Sequence, residues 1–344
     1  MLDRRARRAV AVALAGAALG AGAYYACERA FNVRFDANAK DDENANENDD
    51  DDDDDATTRD ARAGAPSTST SRPPIDVKDT RDARRAYEAL ELAFATDGLD
   101  RGARAARKYF HFARHPEVGT WPKTYAEMGM PSDCARLVIL TMEDAPAICA
   151  AAQRATREVT RLLGETMDAH APGRGSLHVT LFHLSRTFEY VRAPVEFASA
   201  ATLPPNAPTE DAHAREEAAV AEALRGCGEC ELEVDRVCLT PSGCLILCFN
   251  DVRGRVQEIR ERLARSAVGA ARAQNDTVHC TLARLFVRSD GFQIDEERAA
   301  AARAACDVAT SALRGARFRA RGVTYCVERA FSHCDGRRAR ISLG

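Results

Sequence analysis

The chain has 344 residues, 29% of them charged and 45% hydrophobic, with a formal net charge of -4. That composition fits a globular protein of about two domains and excludes a wholly disordered or fibrous chain. Asp41, Asp42, Glu43, Glu47 and the run Asp49 through Asp55 concentrate the acid in one place, and residues 1–40 are basic, so residues 56–344 are close to neutral. A near-neutral body argues against a long polyanion-binding groove and leaves room for a small anionic ligand or an RNA end.

At the N-terminus, Arg4, Arg5, Arg7 and Arg8 precede a run from Ala9 to Ala26 without a charge. Its length is near the lower limit for a bilayer span, and its Ala and Gly content gives weak apolar drive. Gly16 and Gly20 are spaced for close helix approach in lipid. A membrane anchor, an organellar transit peptide and a cleaved secretory signal all stay open. The expected location is a membrane surface or an organelle, with membrane association through residues 9–26 and no obligate protein partner evident. Residues 1–36 read as this targeting segment or anchor. Residues 37–75 read as an acidic disordered linker that cannot bury a core. Residues 76–124 read as a helical extension, and 125–344 as the main domain.

Hydrophobic periodicity predicts a helix over 80–113, a strand over 135–141, a helix over 145–167 and a strand over 177–184. A Pro-containing polar insert at 203–210 precedes a helix over 211–225. Strands over 231–240 and 244–250 flank Pro241-Ser242-Gly243, a hairpin signal. Then follow a helix over 252–268, a strand over 277–287, a helix over 295–314, and strands over 323–331 and 339–343 joined through Asp335-Gly336. Hairpins mixed with helices make the fold class α+β. The twelve cysteines are too dilute for a disulfide scaffold, and several sit in apolar runs such as Cys244 to Cys248, where Cys packs as a small hydrophobe. Cys227 and Cys230 have CxxC spacing, but no second ligand pair follows, so they read as loop rather than as a zinc or redox site.

Two segments match each other: Leu177-His178-Val179-Thr180-Leu181 and Val278-His279-Cys280-Thr281-Leu282. In a strand, residues i and i+2 share a face, so His178 projects with Thr180 and His279 with Thr281. A lone strand histidine is ordinarily structural. His183, five residues after His178, is expected on the opposite face and given no role. Two copies of one pattern in one strand context are another matter. Paired, they would set two imidazoles and two hydroxyls around one cleft. One imidazole can take a proton from attacking water, the other can protonate a departing oxygen, and the hydroxyls can hold phosphoryl oxygens. This chemistry needs neither metal nor cofactor. Unperturbed imidazoles place the rate maximum between about pH 5.5 and 8.

The duplicated His-x-Thr pattern resembles the 2H phosphoesterase superfamily, which includes the RNA ligase/cyclic nucleotide phosphodiesterase-like proteins. The resemblance covers roughly 130–344, and the stretches from Cys238 to Leu247 and from Val323 to Glu328 are similar to plant-type members. It implies a bilobal duplication, with one antiparallel sheet plus helices per lobe around a central cleft. It implies catalytic His178 and His279, with Thr180 and Thr281 holding phosphate. It also implies 2′,3′-cyclic or 2′-5′ phosphodiester chemistry without a metal, and the expected reaction is hydrolysis of nucleoside 2′,3′-cyclic phosphates or of RNA ends that bear them. A 3′-trimming RNA exonuclease and a membrane-tethered nucleotide-binding module without turnover are the alternatives. Tyr325 is a candidate to stack on a base, set against ordinary sheet packing. Arg174, in a Gly-rich loop before the first motif, is a candidate anion contact, set against a solvated loop arginine.

Overall fold

The computed structural model describes residues 75, 79–80, 83–99, 101–112, 119–163, 167–187, 209–266, 268–272, 274–287 and 294–344. The expected anchor at 9–26, nearly all of the acidic linker and most of the 203–210 insert lie outside the described residues. Among the described residues no helix is long and apolar enough to cross a membrane.

The fold is α+β. Helices α1 (Ala83–Asp97) and α2 (Arg101–Ala105) come first, then strands β1 (Phe110–Phe112) and β2 (Thr120–Pro122). Strand β3 (Arg136–Thr141) leads to α3 (Pro146–Leu163), β4 (Met167–His170) and β5 (His178–Ser185). Next are α4 (Thr209–Leu224), the hairpin β6 (Cys230–Leu239) and β7 (Cys244–Asp251), α5 (Arg255–Arg265) and β8 (His279–Val287). The chain closes with α6 (Glu296–Leu313), β9 (Arg317–Ala320), β10 (Gly322–Val327) and β11 (Arg338–Ser342).

The helix expected over 80–113 is divided. Gly98 takes φ 67°, its N–H donates to Phe94 O, and the chain leaves α1 there, as left-handed glycines end helices. Of the helix expected over 145–167, α3 accounts for Pro146–Leu163, and Met167 opens a strand instead, since Met167 to His170 pair with β8.

Nine strands form one antiparallel sheet, in the order β11-β10-β3-β5-β8-β7-β6-β9, with β4 pairing β8 off this path. The central neighbours are β5 and β8. Outward from them run β3, β10 and β11 on one side, and β7, β6 and β9 on the other. One face of the sheet carries Val138, Val179, Phe182, Leu247 and Cys280, which share the main core with Ile148 and Val159 of α3, Val220 of α4, Ile259 of α5 and Ala302 of α6.

The other face is covered in parts. Tyr87 of α1 packs on Cys238, Ile246 and Cys248. Cys334 packs on Leu137, Ile139 and Cys326. Phe110 and Phe112 of β1 pack on Phe286. The middle of β5 and β8 lies between these covers, where His178, Thr180, His279 and Thr281 are half-buried. The eleven described cysteines are free, and all but Cys244 are buried, so they pack as expected of small hydrophobes. Cys227 and Cys230 belong to the main core.

Candidate active site

The two motifs meet at one residue pair. Val179 of β5 lies opposite Cys280 of β8 in antiparallel register. Both point into the main core. Their neighbours therefore project from the other face, which sets His178 against Thr281 and Thr180 against His279 across the strand pair. All four sequence-predicted motif residues are thus brought together. Among the described residues, neither Thr180 nor Thr281 spends its hydroxyl on a protein partner.

Each imidazole is fixed from two residues upstream. His178 Nδ1 donates to Ser176 O at 2.8 Å, so Nε2 is the nitrogen not held by the backbone. His279 Nδ1 lies 2.8 Å from Thr277 Oγ1. Burial holds His178 below its ordinary value, while the Ser176 carbonyl favours its charged form. Burial, the Arg284 guanidinium and His178 together push His279 down to about 4.

Both motif strands also carry a β-bulge at the same place. Ile139 pairs with Thr180 but Val138 with Phe182, so Leu181 is the extra residue in β5. Ile246 pairs with Thr281 but Leu245 with Ala283, so Leu282 is the extra residue in β8. A bulge reverses the alternation beyond it and re-aims the side chains that follow. His183 pairs with Leu137, which shares a face with Ile139. His183 therefore lies on the same face as His178 and Thr180, which corrects the expectation from counting alone. Arg284 holds the corresponding place after His279, paired with Cys244.

Arg284 is the site residue that the sequence did not single out. Its guanidinium reaches Cys244 Sγ at 3.3 Å and Ser332 Oγ at 3.4 Å, and its buried Nε has no hydrogen-bond partner. Buried His170 Nε2 and His333 Nδ1 are likewise without a partner. His170 lies opposite Arg284 on β4, and its ring is 6.4 Å from that of His333. Ser332, beside them, is the described non-glycine residue with positive φ, at 58°. The Arg284 guanidinium therefore stands as the cation beside the dyad, with His170 and His333 next to it.

Two expected residues are not brought to the dyad. Tyr325 is 0% exposed and pairs with Val138, so it lies on the helix-covered face. Its hydroxyl donates to Glu216 Oε2 at 2.9 Å. Glu216 in turn accepts from Arg136 Nε at 2.7 Å and from the Gly269 N–H at 3.0 Å. Tyr325 thus serves a buried ion pair that bolts α4 to β3. Arg174 donates to Pro146 O at 3.1 Å, at the start of α3. A cavity of about 400 Å³ lies between α1, β6 and α6, lined by Glu91, Phe94, Cys238, Arg303 and Asp307, and holds no motif residue.

No family model matches the chain. No curated protein matches it either. Among solved structures, Usb1 of Kluyveromyces marxianus is similar at 11% identity, with a TM-score of 0.37, over 62% of this chain and 99% of that one. A second structure of that protein, with uridine monophosphate, gives the same figures.

Proposed function

We propose that the protein is a metal-independent phosphodiesterase of the 2H type, hydrolysing nucleoside 2′,3′-cyclic phosphates or RNA ends that bear them. The observation that carries this reading is the Val179–Cys280 pairing, which sets two His-Thr pairs head to tail on one sheet face. The matched bulges in β5 and β8 support an internal duplication.

The hydrogen bonds divide the roles. A carbonyl can only accept, so Ser176 O fixes the Nδ1–H of His178 and supports its imidazolium, the general acid. His279, pushed down to about 4, is neutral near pH 7 and is the general base. Water attacks phosphorus as its proton passes to His279, the bond from phosphorus to the 2′-oxygen breaks, and His178 Nε2–H gives its proton to that oxygen. Thr180, Thr281 and Arg284 meet the non-bridging oxygens, where charge accumulates. Residues 1–36 are proposed to target or anchor the chain, and the acidic linker to hold the body away from an anionic surface.

The test is turnover by the full chain of 2′,3′-cyclic mononucleotides, 3′,5′-cyclic mononucleotides and short RNAs. The 2′,3′-cyclic substrates should turn over, and His178→Ala or His279→Ala should each lower kcat/KM by about 10²–10⁴-fold with folding intact. RNA shortening without cyclic-phosphate hydrolysis would move the reading to an exonuclease. Binding without turnover would move it to a nucleotide-binding module.

A further inference from the structure

Beside His178, two more ligating groups converge. Cys334 Sγ lies 3.5 Å from Nδ1 and 3.6 Å from Nε2 of the imidazole, and 3.8 Å from Glu328 Oε1. The ligating atoms of the three residues all lie within 4.8 Å of one another, the only such group among the described residues. Zinc bonds of about 2.3 Å to sulfur and about 2.0–2.1 Å to nitrogen, at a tetrahedral angle, place those two ligand atoms about 3.6 Å apart. The spacing already present is therefore that of two zinc ligands.

We propose that His178, Cys334 and Glu328 form an inhibitory zinc site, whose occupation takes the catalytic imidazole out of use.

The surroundings orient all three ligands. Ser176 O holds the Nδ1–H of His178, the hydrogen bond that leaves Nε2 free as a metal ligand. Tyr125 donates its hydroxyl to Glu328 Oε2 at 2.7 Å, which leaves Oε1 towards the sulfur. Cys334 Sγ is nearly equidistant from the two ring nitrogens, so a turn about its Cα–Cβ bond is what aims it at a metal held by Nε2. One thiolate and one carboxylate balance a divalent charge, which matters with Arg338 and Arg284 close by. A Cys, His and carboxylate set suits zinc, whereas magnesium demands six oxygens. Three protein ligands leave water as the ordinary fourth ligand of a zinc ion. With Nε2 on the metal, it cannot carry the proton destined for the leaving oxygen.

Only the inhibitory half of this proposal rests on the phosphodiesterase reading. Zinc binding is read independently, on the full chain without substrate, by competition between the protein and a chromophoric chelator. Wild type should bind one zinc at this site. Cys334→Ser and Glu328→Gln should each weaken it at least tenfold, while the Cys227→Ser, Cys230→Ser double variant should leave it unchanged. Cobalt loaded into wild type should show a thiolate-to-metal charge-transfer absorption, which needs no variant to fold. Magnesium should not compete. Where turnover is measured, zinc should abolish it and EDTA restore it. No charge-transfer band, or zinc binding lost in the Cys227/Cys230 variant and kept in Cys334→Ser, would overturn the site. Zinc bound at the trio with turnover undiminished would overturn the inhibition.

Discussion

At the scale of single residues, the site sets its own working pH. On the proposed mechanism turnover needs His178 charged and His279 neutral, and both imidazoles are held below their ordinary value, His279 at about 4. The maximum of kcat/KM therefore lies between the two macroscopic values, on the acid side of about 6.5. That moves it down from the window that unperturbed imidazoles give. Stability follows the same groups. A histidine whose value is depressed on folding stabilises fully above the unfolded value of about 6.5, and that contribution is lost as pH falls towards the folded value. Arg284 supplies a separate test of sign. Its charge disfavours protonation of His279, so Arg284→Met should raise the value of His279 and move the acid limb of the profile to higher pH. An unmoved acid limb in a folded variant would show that Arg284 does not face the base.

At the scale of elements, what could be read locally was the strand pattern, and what could not be read was pairing. His178 with Thr180 and His279 with Thr281 follow from period two within a strand, so the motif was visible in the sequence. The bulges at Leu181 and Leu282 depend on how β3 and β7 pair with their neighbours, and no local signal marks them. For that reason counting along the chain puts His183 on the wrong face and gives no sign of Arg284, although Arg284 stands five residues after its histidine as His183 does. Tyr325 failed in the same way, because its face is set by register with β3 and its partner lies on α4. Strands β1, β2, β4 and β9 have three or four residues each, too few for a period. A bulge also frees backbone groups, and here a helix satisfies them. Arg260 of α5 is 0% exposed and donates to Leu181 O at 2.8 Å, to Asn275 O at 2.7 Å and to Thr277 O at 3.1 Å. One guanidinium thereby ties the first bulge to the segment that enters the second motif. Arg260→Ala, leaving those buried carbonyls unmet, should lose about 3 kcal/mol or more in urea unfolding. Arg260→Lys keeps a charge but not the fork, so it should lower kcat about tenfold with little change in KM. Wild-type stability and rate in both variants would refute the coupling.

At the scale of the molecule, the question is where the working body begins. The sequence suggests a helical extension at 76–124 ahead of the main domain, and within those bounds lie α1, α2 and the short strands β1 and β2. Its packing ties it to the site. Tyr87 is 0% exposed, and its hydroxyl lies 2.8 Å from Phe249 O, 2.9 Å from Val278 O and 3.0 Å from Val278 N, next to His279 in the chain. Arg84 and Glu91, on the same helix, pair with Asp235 and Arg236 of β6. Burying one such aromatic ring contributes about 1.5–3 kcal/mol, and each hydrogen bond about 1 kcal/mol net. Domains are stable by only about 5–15 kcal/mol, so losing α1 removes a large share of the margin and bares Cys238, Ile246 and Cys248 to water. Two truncations separate the N-terminal segment from the body. Deleting residues 1–74 should leave the thermal midpoint and turnover at their full-chain values, because α1 and the side chains it covers are kept whole. Deleting residues 1–99 should lower the midpoint by ten degrees or so and abolish turnover, since about 1 kcal/mol shifts it by about 2–4 °C at this size. A fully active 100–344 fragment would mean that His279 is positioned without α1, and an inactive 75–344 fragment would mean that the N-terminal segment takes part in the chemistry.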